Sequence, residues 1–357
     1  MTSNLFLKCV ATASIALSGS VVSAANWFPL DVNQVGADGK VVQVAYQGQQ
    51  KASQKWPICV SFPHMKDPFW LAANYGVVEE AKRLGVSVQV LDAGGYTQLN
   101  NQISQIENCV AGGAKAVVMV AIDAEGVGNM LKQLKEKNIV VIDAFNGSNS
   151  TDVAARVLTN PRDEGFRAGE YLAKKHPKGT PEVRVGWLPG PAGAGFVEGF
   201  NAGFLDGIKD SAVVIAETKY GDVGKEIQAR LVEDMLQTHK DLDYIVGTAV
   251  MVEGALPLLK ARKLLDKVKL VSVYMTPGVY QGLKKGEIEA AGVAPIVTTS
   301  KMTIDSAVRI LEQGNNPEAL TRVDTIGTVY TPATVGEFDP SITFAPAGFR
   351  PVFSFGK

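Results

Sequence analysis

The sequence predicts an α/β fold made of two Rossmann-like lobes joined by a multi-strand hinge. From Trp56 onward, short apolar runs rich in β-branched residues alternate with helical segments, the pattern of parallel strands covered on both faces. The rhythm restarts after Asn146–Ser150, giving two consecutive doubly wound units with a cleft between their strand ends. The chain's 357 residues exceed one typical core and suit two.

The chain opens MTSNLFLKCVATASIALSGSVVSAANW, with one lysine, an apolar run Val10–Val22 and small residues before Ala24. This reads as a secretory signal cleaved after Ala24 or Ala25, since a membrane anchor needs about 20 apolar residues. Residues 25–55 are a polar, irregular extension with a short strand near Lys40–Tyr46. ICVSFP is the first core strand and Trp70–Leu84 the first helix, stopped by Gly85. SVQVLDA, helix Gln98–Ala111, AVVMVAI, helix Glu125–Lys137 and IVVIDAF complete the first unit.

RVLTN and helix Arg162–Lys175 open the second unit. VRVGWLPG, helix Phe196–Ile208, AVVIAETKYG, helix Lys225–Thr238, DYIVGTAV, helix Val252–Ala261, KLVSVYM and helix Gly278–Lys285 follow. EAAGVAP is read as a strand returned to the first lobe, before a last helix Thr298–Glu312 and an irregular tail. The resulting division is a signal peptide at 1–24, the extension at 25–55, a first lobe of 56–150 plus 275–296, and a second lobe and tail of 151–274 plus 297–357.

Composition narrows the function. A formal net charge of −1 with 20% charged residues offers no basic stripe for nucleic acid. Cys59 and Cys109 are the cysteines left after signal removal. An even pair in an oxidising compartment is a disulfide candidate. Cys59 starts a strand and Cys109 ends an antiparallel helix, so both fall at the same sheet edge; two buried free thiols are the alternative. His64, His176 and His239 are scattered, which disfavours a metal site. No GxGxxG follows a strand, and neither GxxxxGK[ST] nor GxSxG occurs. The Gly-rich GPAGAGFVEGF lacks a basic residue and is read as a cleft loop with close backbone approach rather than a phosphate cradle.

Trp70, Tyr96 and Tyr274, with Phe62 and Phe69 nearby, fall just past the carboxyl ends of predicted parallel strands, where open α/β sheets bind ligands. With Trp70 and Tyr96 read as exposed, these rings form an aromatic box for a small ligand, and replacing Trp70 or Tyr274 by Ala should leave thermal stability nearly unchanged. Such a cage attracts ammonium-like groups by about 0.5–2 kcal/mol per ring. Asp67, Asp92, Asp123, Asp163 and Glu253 are the charged residues at the rim, with helix capping as their ordinary role. A secreted enzyme working in the cleft would need a catalytic constellation there, and His64 is the histidine nearest the strand ends.

The segments KDPFWLAANYG, VLDAGGYTQL, VGTAV, VSVYMTPGVYQGLKKG and PAGFRPVFSF resemble the type I, ribose-type periplasmic-binding-protein superfamily, and within it the TorT-like periplasmic sensors. The resemblance runs from Trp56 to the C-terminus. It implies Trp70, Tyr96 and Tyr274 as cage aromatics; Asp67, Phe69 and Asp163 are the further candidate ligand contacts. Sugar binders of this superfamily have Asp at Tyr274, Asn-Asp at Thr248-Ala249, Gln at Pro295 and Arg in the AGAG loop. Their absence here argues against a sugar, whose hydroxyls would be buried unpaired. The family's cage carries one more Trp, and this chain has Pro161 or a neighbour in that place, with Arg162 or Asp163 as polar substitutes.

The resemblance further implies a small methylated amine oxide such as trimethylamine N-oxide as ligand, no cofactor, and a TorS-type membrane histidine kinase as partner, docked on the N-terminal lobe. A solute receptor for an ATP-driven importer is the alternative on the same fold.

Overall fold

The computed structural model describes residues 27–313 and 321–356; the signal and its cleavage site lie outside the described residues. Two sheets organise the chain. The first is nine-stranded, and its parallel centre is β4 (Ser87–Asp92), β3 (Pro57–Phe62), β5 (Ala116–Met119), β6 (Val140–Phe145), β7 (Ala155–Leu158) and β13 (Arg322–Thr325), in that order. Antiparallel strands finish both edges. β15 (Ser354–Phe355) pairs with β4, while β1 (Leu30–Val35) and β2 (Val41–Tyr46) extend the sheet beyond β13. The second sheet has six strands, ordered β14 (Thr328–Tyr330), β12 (Ala290–Val293), β11 (Lys269–Ser272), β10 (Tyr244–Gly247), β8 (Val183–Gly190) and β9 (Val213–Tyr220).

Helices cover the sheets because their apolar residues recur at helical spacing. On the first sheet these are α1 (Pro68–Leu84), α2 (Leu99–Ala111), α3 (Gly128–Glu136) and α9 (Ile296–Gln313). On the second they are α4 (Pro161–Lys175), α5 (Gly195–Gly207), α6 (Lys225–Thr238), α7 (Ala249–Ala261) and α8 (Pro277–Lys284). The second lobe's core includes Trp187 stacked on Phe204 at 4.2 Å between ring centroids.

The chain changes lobe between β7 and α4, between β12 and α9, between β13 and β14, and again between β14 and β15, which makes the expected multi-strand hinge. The expected lobe boundaries need correction. Residues 290–293 do not return to the first sheet; β12 pairs in parallel with β11, Val271 opposite Ala290. It is α9 that returns, seated so tightly on α1 that a Cβ on Gly76 would meet the Val297 carbonyl oxygen at 2.4 Å. β7, assigned to the second lobe, instead joins β6 and β13 of the first. The strand expected near Lys40–Tyr46 is β2, but the extension is less irregular than expected because β1 pairs with it in a hairpin, and the tail ends in β15 rather than as loop.

The structure joins Cys59 and Cys109 in a disulfide, with Cα atoms 6.4 Å apart. The bridge ties β3 to the C-terminal end of α2, at the sheet edge away from the cleft. No helix among the described residues is long and apolar enough to cross a membrane.

Candidate functional site in the interlobe cleft

Asp67 organises the first wall. It is the N-cap of α1, its Oδ1 accepting the Phe69 N–H at 2.9 Å, with Pro68 preset at the first helical position. This start aims Phe69 and Trp70 into the cleft. Trp70 is only 5% exposed, its ring packed on Phe69 at 4.7 Å and on Phe62 and Phe145 at 5.6 Å each. Phe145 has φ +57°, a left-handed conformation that costs about 1–2 kcal/mol in a residue with a Cβ. The kink brings the following Asn146 to the cavity, where its Nδ2 donates to the Tyr96 hydroxyl at 3.2 Å.

Tyr96 follows Gly94 and Gly95, whose φ values of +98° and +146° only glycine adopts freely. Asp92 accepts the Gly94 N–H, and the Gly95 N–H bonds to the Pro63 carbonyl, pinning this turn beside the Asp67 loop. From the second lobe, Tyr274 stands just past β11 and donates its hydroxyl to Asp67 Oδ2 at 3.0 Å. That hydrogen bond spans the lobes, as do the Phe69–Tyr274 and Tyr96–Phe196 ring contacts at 5.5 and 5.3 Å. Gly195 completes the seal, since a Cβ there would lie 3.2 Å from that of Ala124.

Between the lobes lies a cavity of about 40 Å³ lined by Asp67, Phe69, Trp70, Tyr96, Asn146, Thr159, Pro161, Glu164, Phe196, Phe200, Val223 and Tyr274. One water needs about 10–15 Å³ of such space, so the chamber fits a compact ligand of a few non-hydrogen atoms. The predicted Trp70, Tyr96, Tyr274, Asp67 and Phe69 thus meet in one chamber, but Trp70 is buried and Tyr96 half-buried where both were expected to be exposed, and Tyr274 is buried as well.

Asp163 is not in the lining. Its backbone N–H caps onto Asn160 and its carboxylate pairs with Arg167, while Arg162 pairs outward with Asp206. The cavity carboxyl on α4 is the next residue, Glu164, and Pro161 does line the wall. Helical phase carries this distinction: Pro161, Glu164, Gly165, Ala168, Gly169 and Leu172 form the buried stripe of α4, and Asp163 falls off it. Backbone-to-backbone packing of α4 on α5 fixes Glu164 beside Phe200. A Cβ on Gly203 would sit 1.9 Å from the Arg162 carbonyl oxygen. Phe196 and Phe200, four apart on α5, were legible as one helix face; Asn146 carried no such signal.

The two cavity carboxyls differ in environment. Burial pushes Asp67 up to about 6, and would push it further without the Phe69 N–H and Tyr274 O–H that it accepts. Burial pushes Glu164 up to about 8, with the neighbouring Asp163 charge adding to the rise and the Thr159 hydroxyl opposing it. Its Oε1 is buried without a hydrogen-bond partner. A helix first turn ordinarily favours a negative charge; here desolvation wins. Burial also lowers His64 to about 4, so it is a neutral ring behind Trp70 and Tyr96. Asp92 and Asp123 cap their own loops, and Glu253 pairs with Lys225 and Thr276.

Tyr274→Phe tests the interlobe bond. Removing a hydrogen bond to a charged group costs about 1.5–3 kcal/mol, here taken from the closed state. The variant is expected to bind ligand at least tenfold more weakly and to have a larger radius of gyration by small-angle scattering; unchanged values would show that the bond does not hold the lobes together.

A family model described as periplasmic binding protein domain matches residues 58–316. The chain belongs to the periplasmic binding protein family. That membership makes it a periplasmic protein and accounts for the two lobes and the cleft. Among relatives of this periplasmic binding protein, the periplasmic protein TorT of Escherichia coli K12 is 33% identical over 305 residues, covering 85% of this chain and 86% of TorT. A solved ABC transporter solute-binding protein from Bradyrhizobium sp. BTAi1, with bound Bis-Tris, is 49% identical with a TM-score of 0.81, covering 93% of this chain and 100% of its own. TorT in complex with the TorS sensor domain in the presence of trimethylamine N-oxide gives a TM-score of 0.74 at 30% identity, covering 84% of this chain and 100% of that one.

Proposed function

We propose that this protein is a periplasmic ligand-binding sensor, not an enzyme, that closes its lobes on a small methylated amine oxide. Trimethylamine N-oxide is the reading that the cavity's size and walls support best. The closed form would then be read by the sensor domain of a TorS-type membrane histidine kinase, as the TorS–TorT complexes suggest. The single observation that carries this is the chamber itself: aromatic rings from both lobes surround a volume of about 40 Å³. Methyl groups on a positive nitrogen gain about 0.5–2 kcal/mol from each ring they face. A ligand touching both lobes favours the closed form by its differential affinity for it.

The Bradyrhizobium relative supports a second reading, a solute receptor for an ATP-driven importer. Titration calorimetry and thermal shift across a panel of amine oxides, methylated amines, sulfoxides and sugars test the ligand. Trimethylamine N-oxide is expected to bind saturably and, at about 100 times Kd, to stabilise the protein by about 2.7 kcal/mol. No shift at millimolar concentration would overturn it. Co-elution with the kinase sensor domain in size-exclusion chromatography, expected under the sensor reading and not under the importer reading, tests the partner.

A further inference from the structure

We propose that Glu164 recognises the ligand's oxygen as a neutral carboxylic acid, donating its proton to an anionic oxygen opposite an ionised Asp67, so that the cavity is built for a zwitterion. The inference rests on the amine-oxide reading and adds the polar half of recognition, which an aromatic cage alone does not supply.

The geometry is one of two unlike carboxyls facing one small chamber from opposite lobes. Asp67 accepts two hydrogen bonds, from the Phe69 N–H and the Tyr274 O–H, and these stabilise its charged form. Glu164 has a single such hydrogen bond, from the Thr159 hydroxyl, set against burial and the adjacent Asp163 charge. It is buried, its Oε1 lacks a partner, and it makes no ion pair with a basic residue among the described residues, Arg167 on the same helix being paired with Asp163. The other groups facing the chamber are the neutral hydroxyls of Thr159, Tyr96 and Tyr274, with neutral His64 behind the Trp70–Tyr96 wall. Lys225 and Glu253 act on Asp67 from the second lobe with opposite signs.

A deeply buried carboxyl that accepts from a single hydroxyl and has one oxygen free keeps its proton and becomes a hydrogen-bond donor. With Asp67 near 6 and Glu164 near 8, the pair at pH 7 is one carboxylate and one acid. A negative oxygen placed against Glu164 requires that acid, while a positive nitrogen is favoured by the Asp67 charge. The other NH donor at the wall, Asn146 Nδ2, is committed to Tyr96 and the Ala121 carbonyl.

The consequence is a bell-shaped affinity profile. Trimethylamine N-oxide stays zwitterionic over pH 6–9, so any change comes from the protein. Affinity is expected to be highest near pH 7. Above about pH 8 it should weaken, approaching tenfold per pH unit, as binding must first return a proton to Glu164. It should also weaken below about pH 6 as Asp67 is neutralised.

Calorimetry with trimethylamine N-oxide from pH 5 to 9, repeated at pH 9 in buffers of different ionisation enthalpy, is the test. Wild type is expected to take up close to one proton per ligand at pH 9. Glu164→Gln, whose amide still donates, is expected to bind within about threefold of wild type at pH 7 and to lose the alkaline decline. Glu164→Ala should lose at least tenfold. An affinity that rises through pH 8, together with tenfold loss in Glu164→Gln, would show a carboxylate paired with a cation and overturn the proposal. A flat wild-type profile would overturn it as well. Those outcomes leave the amine-oxide reading standing, whereas no binding at any pH sinks both.

Discussion

Trp70→Ala is expected to reduce ligand binding by roughly tenfold or more and, at the same time, to destabilise the protein by about 3–5 kcal/mol. The first effect follows from loss of one aromatic wall, worth about 0.5–2 kcal/mol, and from water entering the enlarged chamber. The second follows from burial: the indole is 5% exposed and packed on Phe62, Phe69 and Phe145. Each kcal/mol is worth about 2–4 °C in melting temperature for a domain of 150–250 residues. A fall of roughly 6–20 °C by calorimetry is therefore expected, contrary to a ring standing free at a cleft mouth. Trp70→Phe separates the roles, keeping an aromatic wall and most of the packing while losing much less of both. Full affinity in Trp70→Ala would remove this residue from the site.

The same burial marks the limit of what was legible in the chain. Strand–helix alternation identified the fold and located Trp70, Tyr96 and Tyr274, because strand ends follow from local pattern and open sheets present their ligands there. Lobe membership did not follow. β12 reads like a strand of either lobe, and only its pairing with β11 assigns it to the second; β7 was misassigned for the same reason. Pairing is a long-range choice that an apolar run of four residues does not encode. Asp163 and Glu164 show the opposite case. Adjacent acids differ by about 100° around a helix, and the buried stripe from Pro161 to Leu172 already separates them. Whether Trp70 is exposed or enclosed depends on its packing against Phe62 and Phe145, the latter from a distant segment of the same lobe.

Replacing both Cys59 and Cys109 by Ala is expected to cost about 4 kcal/mol, the loop-closure entropy of a cross-link between residues 50 apart in sequence. The bridge joins β3 to the end of α2, and both elements deliver the site at their other ends. β3 leads into Asp67 and Trp70, and the loop before α2 carries Tyr96. The parallel sheet nonetheless holds these ends in register without the bridge, through the β3–β4 and β3–β5 ladders and through the Gly95 N–H to Pro63 carbonyl bond. Stability and affinity should therefore separate. The double variant is expected to melt roughly 8–16 °C lower, while its ligand Kd, measured well below that transition, changes less than threefold. A Kd that collapses with the melting temperature would mean that the bridge positions the aromatic walls directly. The expected separation instead makes the disulfide a constraint on the unfolded chain, acting on the lobe that supplies Asp67, Trp70 and Tyr96 while leaving the closing motion to the interlobe contacts of Tyr274 and Phe196.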